Sequence, residues 1–188
     1  MKKYNFDVII DRKNTNCVKW SGDQFEIPMW IADMDFETLP EVKQAILNKA
    51  NVAAYGYAYV PTEYFTAYRK WWEELHNVSF KEEWMIFSNG IVAAISSIIR
   101  KLTNVGDSIV IQSPVYNCFF SSIKNNNRTV LTSELVYRNG KYDVDYEDLE
   151  AKLAKEETKM FIFILLTWVP EQVFTAVRLS LRAVSRIL

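Results

Sequence analysis

The chain holds a single histidine, His76, and only two cysteines, Cys17 and Cys118. A zinc site, a histidine triad or a disulfide framework therefore has too little to draw on. Neither sign of charge is in excess: 22 basic residues face 23 acidic ones, for a formal net charge of −1. That balance removes the electrostatic case for nucleic acid or an anionic membrane surface as partner. Glycine is scarce, at five residues. Neither GxGxxG nor GxxxxGK[ST] occurs, which disfavours a Rossmann nucleotide binder and excludes a P-loop. No apolar run reaches the length of a membrane span, and the opening MKKYNFDVIIDRKN interposes charge before any signal-peptide core. The expected location is the cytoplasm.

What is present is an ordinary globular balance, 49% hydrophobic and 24% charged, with aromatics high at 14% and six tryptophans. At 188 residues, one domain with a sizeable core is within reach. The stretch on which the rest is organised is Trp84–Tyr116, WMIFSNGIVAAISSIIRKLTNVGDSIVIQSPVY. Trp84–Phe87 predicts a short strand, and Ser88-Asn89-Gly90 a turn with polar groups able to cap a helix. Ile91, Ile95, Ile98 and Leu102 recur at helical spacing as one buried face. Ile109-Val110-Ile111 predicts a strand buried on both sides. A βαβ unit with glycine at the strand-to-helix junction offers backbone N–H groups and a helix dipole to a phosphate, although many such glycines merely turn the chain.

Around this unit, residues 1–28 look like an irregular arm that packs on a partner subunit or simply extends over the surface. In Ile27–Pro40, IPMWIADMDFETLP, Asp33 and Asp35 share a face of an extended segment. They suit either a substrate-edge loop with paired carboxylates or acidity ahead of a helix over Glu41–Ala50 that turns Val42, Ile46 and Leu47 inward. Tyr55, Tyr57 and Tyr59 alternate along a loop broken by Gly56 and Pro61. Thr62 is placed to cap a helix over Glu63–His76 with Phe65, Tyr68, Trp72 and Leu75 buried, and His76 meeting only the helix dipole. A helix over Asn117–Lys124, a strand over Thr129–Ser133 and a type I′ hairpin at Asn139-Gly140 follow. Asp145 then caps Tyr146–Lys155 with Asp148 at the capping-box position and Leu149 and Leu153 inward, and Lys159–Leu166 reads as a buried strand. The class is α/β with a mainly parallel sheet flanked by helices. In the last stretch, Thr167–Leu188, Glu171 is the only acid, while Arg178, Arg182 and Arg186 stand unbalanced on a helical pattern.

These segments, taken together, resemble the fold-type I pyridoxal-phosphate (PLP) enzymes, and within them the cystathionine β-lyase (C–S lyase) branch of aminotransferase class I/II. The carriers are PMWIADMDF (Pro28–Phe36), YGYAYVP (Tyr55–Pro61), IFSNGIVAAI (Ile86–Ile95), GDSIVIQSPVYNCFF (Gly106–Phe120) and NGKYDVDYEDLE (Asn139–Glu150), in the family's order over roughly residues 3–166. The resemblance implies a PLP-dependent transferase-like fold and pyridoxal 5′-phosphate as cofactor. Gly90, Ile91 and Val92 would hold its phosphate through backbone N–H groups, and Tyr116 would stack on its ring. Tyr57 would reach across a homodimer to the neighbouring subunit's cofactor, and Ala32 and Asp33 would lie beside the substrate carboxylate. The implied reaction is α,β-elimination from cystathionine or another cysteine S-conjugate to thiol, pyruvate and ammonia, with an aminotransferase on the same fold as the alternative. A non-catalytic dimerising remnant is a third reading.

The resemblance stops after Leu166, where Thr167-Trp168-Val169-Pro170-Glu171-Gln172 stands in place of the family's Asn-Pro-His-Asn-Pro loop. No lysine here matches the family's Schiff-base lysine. The resemblance thus divides the chain into arm and first helix (1–50), the first half of an incomplete PLP-binding large domain (51–166) and a divergent tail for which a frameshift is one reading (167–188). It implies a chain inactive by itself, with open sheet edges and poor solubility.

Overall fold

The computed structural model describes residues 4–21 and 27–163, and the chain divides into two compact units, Met1–Pro61 and Thr62–Leu188. The first unit carries an extended arm, a 3₁₀ turn at Val18–Trp20 and one α-helix, α1 (Pro40–Ala50). Pro40 opens α1, where its missing N–H costs no hydrogen bond. None of the residues of α1 is buried, and Val42, Ile46 and Leu47, expected to face inward, are exposed. The described part of this unit offers α1 no sheet and no second α-helix to cover an apolar stripe. Helical spacing alone does not create a core.

The second unit is built on a sheet in the order β3-β2-β1-β4. Its strands are β1 (Ser108–Ser113), β2 (Thr129–Arg138), β3 (Lys141–Val144) and β4 (Thr158–Ile162). β1 pairs in parallel with β2 and with β4, while β2 and β3 form an antiparallel hairpin. At the hairpin, Asn139 and Gly140 have φ of 51° and 80°, the left-handed pair that a type I′ turn requires. The helices are α2 (Thr62–His76), α3 (Ile91–Leu102), α4 (Asn117–Lys124) and α5 (Tyr146–Leu153). As expected, Asp145 caps α5, its carboxylate accepting from the Asp148 N–H at 3.0 Å, and Leu149 and Leu153 are half-buried. The return half of the capping box is replaced: the Asp148 carboxylate binds Lys152 at 2.6 Å, one turn on.

β1 organises the core. Ile109 and Ile111 point to one face and meet Ile99 of α3 and Ile123 of α4, while Val110 points to the other; all five are fully buried. The buried stripe of α3 is rotated from the expected one. Ile95 and Ile99 face the sheet, Thr103 is buried just beyond the helix, and Ile91, Ile98 and Leu102 are exposed. Isoleucines on two sides of α3 make either face plausible from spacing, and contact with β1 selects one. In α2, Phe65 and Trp72 are half-buried, whereas Tyr68 and Leu75 are exposed.

The expected strand at Trp84–Phe87 does not form. Glu82–Trp84 is a 3₁₀ turn, and Met85–Phe87 is extended without a partner strand among the described residues. Both edges of β1 are already taken by β2 and β4, so this segment cannot enter beside β1. Phe87 instead packs edge-on against Tyr64 of α2, with ring centroids 5.6 Å apart. Of the strand expected at Lys159–Leu166, the residues from Ile164 onward lie outside the described residues, as does the whole of Thr167–Leu188.

Because so few side chains are fully buried, each matters. Ile111→Ala is expected to cost about 2–5 kcal/mol in urea unfolding, and Ile98→Ala, half-exposed on the same unit, less than about 1 kcal/mol. Equal losses would show that β1 is not the core.

Candidate functional site

Two of the expected elements meet at one end of the sheet. At its carboxyl end α3 is tied to the start of β2: the Arg128 guanidinium donates to the Thr103 carbonyl at 2.6 Å and to the Thr103 hydroxyl at 2.9 Å. α3 therefore runs opposite to the parallel strands, and its 12 residues span about 18 Å, close to the length of β1. The amino end of α3, at Gly90, lies at the carboxyl edge of β1. Tyr116 follows that same edge through Ser113-Pro114-Val115 and starts α4. Ligands of open α/β sheets bind at this edge.

Gly90 has φ 125° and ψ 157°, a conformation essentially restricted to glycine. A Cβ there would meet nothing within 4 Å, so the requirement is backbone conformation and not space. No side chain caps α3, and no acidic residue sits in its first turn. The capping expected of Ser88 and Asn89 is absent. The Ser88 hydroxyl instead donates to the Gly90 carbonyl at 3.2 Å, which also accepts from the Ala94 N–H at 3.0 Å, so Ser88 offers nothing to the N–H groups of the first turn. The first-turn N–H groups of Ile91 and Val92 thus point outward from a positive helix end with no protein acceptor among the described residues, and both side chains are exposed.

The Tyr116 ring is exposed and stands edge-on to Phe119, centroids 6.2 Å apart. The neighbouring Cys118 sulfur, through hydrogen bonding and charge, raises the Tyr116 phenol above its ordinary value, so the ring remains neutral. His76 is held between Trp71 and Trp72, 4.7 and 4.8 Å from their centroids.

Ala32, Asp33 and Tyr57 belong to the first unit. Tyr57 is fully solvent-exposed, while the Tyr55 phenol turns back to donate to the Ala50 carbonyl at the end of α1, 2.7 Å away. Asp33 and Asp35 are neither a free carboxylate pair nor an acidic start to α1, whose first-turn acid is Glu41. The arm closes on them. Arg12 donates to the Asp33 carboxylate at 2.8 Å, to Asp35 at 3.3 Å and to the Met34 carbonyl at 2.9 Å. Lys19, buried, bonds the Asp33 carbonyl at 2.7 Å and pairs with the Asp35 carboxylate, which also accepts from the Trp20 indole at 2.9 Å. The Cys17 thiol lies 3.6 Å from the Asp33 carboxylate. Sequence reading passed over these four arm residues. The signal was there in a small way: Asn14 and Asn16 both adopt positive φ and turn the arm back, a role to which asparagine is suited. Among the described residues no cluster of histidine, cysteine and carboxylate is arranged to hold a metal. No described helix is long and apolar enough to cross a membrane.

Comparison with known proteins agrees with this architecture. Residues 27–167 match aminotransferase class I and II. The chain is 34% identical over 164 residues to cystathionine beta-lyase PatB of Bacillus subtilis, covering 84% of this chain and 42% of that protein. It is similar to the solved C–S lyase of Staphylococcus hominis, PLP-bound, at 35% identity and a TM-score of 0.77 over 85% of this chain and 42% of that one. Cystalysin from Treponema denticola, whose crystal structure contains pyridoxal 5′-phosphate, superposes with a TM-score of 0.76 at 30% identity, over 85% of this chain and 43% of that one. The chain belongs to the aminotransferase class I and II family, within the fold-type I PLP-dependent enzymes. It spans less than half the length of these relatives.

The clasp around Asp33 and Asp35 has a defined pH dependence. The hydrogen bond from Arg12 is the main cause holding Asp33 below the ordinary carboxylate value, and that from Lys19 does the same for Asp35. A carboxylate whose folded value is depressed contributes stability above its unfolded value, and the contribution is lost as pH falls through the folded value. At pH 3.8, where a free aspartate is half protonated, both are expected to be more than half ionised. Side-chain carboxyl carbon shifts in an NMR pH titration measure this, and two ordinary midpoints would show that the clasp does not form.

Proposed function

We propose that this chain supplies the phosphate cradle and the arm of a PLP-dependent carbon–sulfur β-lyase. The observation that carries the reading is the uncapped amino end of α3 at Gly90, set at the carboxyl edge of β1 within the segment matched to the family. A dianionic phosphate there receives the N–H groups of Ile91 and Val92 and the positive end of the helix dipole. The residues fit the group: Gly90 leaves the approach open, and no first-turn carboxylate repels it. When bound, the cofactor supplies an electron sink for breaking bonds at the substrate's Cα and Cβ. Tyr116, neutral and exposed beside the cradle, covers one face of its ring. Ile31-Ala32-Asp33 forms the edge beside the substrate carboxylate, and the exposed Tyr57 reaches the cofactor of a second copy.

The lyase assignment rests on likeness to the B. subtilis and S. hominis proteins. It takes cystathionine or a similar cysteine S-conjugate as substrate and gives thiol, pyruvate and ammonia. Residues 27–167 hold no counterpart of the family's Schiff-base lysine. The chain alone is therefore proposed to bind the cofactor's phosphate without turning over substrate.

Spectroscopic titration tests the cradle. Pyridoxal 5′-phosphate is expected to bind roughly tenfold or more tighter than pyridoxal, the share of the phosphate alone. Val92→Asp places a negative charge in the first turn of α3. That change favours the helix itself yet repels the ligand, so phosphate selectivity should vanish while thermal stability holds. Equal binding of the two vitamers by the unsubstituted chain would overturn the proposal. Thiol release from cystathionine, followed with a chromogenic disulfide, should be undetectable for this chain; turnover would refute its inactivity.

A further inference from the structure

Among the described residues of the first unit, the arm and the loop it meets are the most densely hydrogen-bonded. Arg12, Cys17, Lys19 and Trp20 together direct polar atoms at Asp33, Met34 and Asp35, and both carboxylates are engaged by more than one donor. Two of the acceptors, the carbonyls of Met34 and Asp33, are backbone atoms, so the arm holds the course of the main chain and not just its side chains. Just before them the chain makes a tight turn, the Asp33 N–H donating to the Ile31 carbonyl at 2.8 Å. α1 contributes no buried residue to the unit, and the packing beside the loop is one edge-on contact of Phe6 with Phe36, centroids 5.5 Å apart, and the buried Pro28. Lys19 is the informative member. Its side chain is only 7% exposed, and a buried ammonium is stable only when its donors are met, here by one carboxylate and one carbonyl of the loop.

We infer that Arg12 and Lys19 are positioning residues: the segment Arg12–Trp20 is a strap that fixes the backbone of Ile31–Asp35, with Asp33 and Asp35 as its anchors and not as groups presented to a ligand. The functional meaning of the strap rests on the reading above, in which Ile31–Asp33 forms the substrate edge. The strap keeps the loop in one conformation before any ligand arrives. Ile31, Ala32 and Met34 are the exposed residues of the loop, while Asp33 and Asp35 are half-buried with their carboxylates engaged by the arm.

Hydrogen exchange of the ligand-free chain, read by mass spectrometry on peptides covering 28–36 and 106–133, tests it. Lys19→Met and Arg12→Ala are each expected to speed exchange in 28–36 by roughly tenfold or more, with 106–133 unchanged. Arg12→Lys keeps the charge and should recover part of the protection. Asp35→Asn combined with Lys19→Met should add little to either alone, because both remove the same contact. Unchanged exchange in 28–36 in the folded Lys19→Met protein would overturn the strap. Acceleration spread equally over 28–36 and 106–133 would overturn it too, by showing general destabilisation. No cofactor enters this measurement, so its failure and the failure of the phosphate cradle are read separately.

Discussion

The second unit depends on one strand being enclosed on every side. β1 has a parallel neighbour at each edge, isoleucines from α3 and α4 over one face, and Val110 buried on the other. Enclosure satisfies its backbone polar groups in the two ladders and removes its apolar side chains from water together. The position of α3 follows, because Ile95 and Ile99 have β1 as their surface. The position of Gly90 follows from α3. An uncapped helix end at the carboxyl edge is thus a geometric result of how one apolar strand is covered. The positive φ at Gly90, which glycine alone adopts readily, then sets the direction in which the chain enters that helix end.

The first unit is held by different forces. Its helix buries nothing, and its arm is joined to the Asp33–Asp35 loop by charge-assisted hydrogen bonds, with Phe6 edge-on to Phe36 beside them. Exposed ion pairs of this kind contribute little individually. Here they share acceptors around a buried ammonium and engage backbone carbonyls, which gives direction as well as attraction. The two units therefore respond to different agents: the core around β1 to agents that weaken apolar burial, the clasp to protons and salt.

The sequence made legible those features that rest on local chemistry or on continuous apolar character. Asn139-Gly140 announced its turn, Asp145 its cap, and Ile109-Val110-Ile111 a strand covered on both faces. The phosphate cradle proposed at Gly90-Ile91-Val92 is suggested by the order of this segment among the others more than by its own residues. Features requiring knowledge of a neighbour were not legible. Trp84–Phe87 is as apolar as a strand but has no free edge beside β1, and the exposed and buried isoleucines of α3 are chemically identical. Arg12 and Lys19 lie 21 and 16 residues from the aspartates whose carboxylates they bind, with no periodicity to connect them. Long-range pairing of this sort leaves no repeat in the chain, and aspartates in an extended segment look the same whether they are free or already engaged.

The hairpin has a mechanical consequence. β2 pairs with β1 only as far as Glu134, and from Leu135 to Arg138 its partner is β3 alone. The strand thus changes neighbours midway, and the ribbon beyond Leu135 carries its own clamp, Tyr137 and Tyr142, whose rings are 4.9 Å apart. A pull on the turn is resisted by four residue pairs and that one ring contact. β3 can separate from β2 pair by pair without breaking any pair between β1 and β2. Opening the hairpin therefore leaves the strand that positions α3 fully paired.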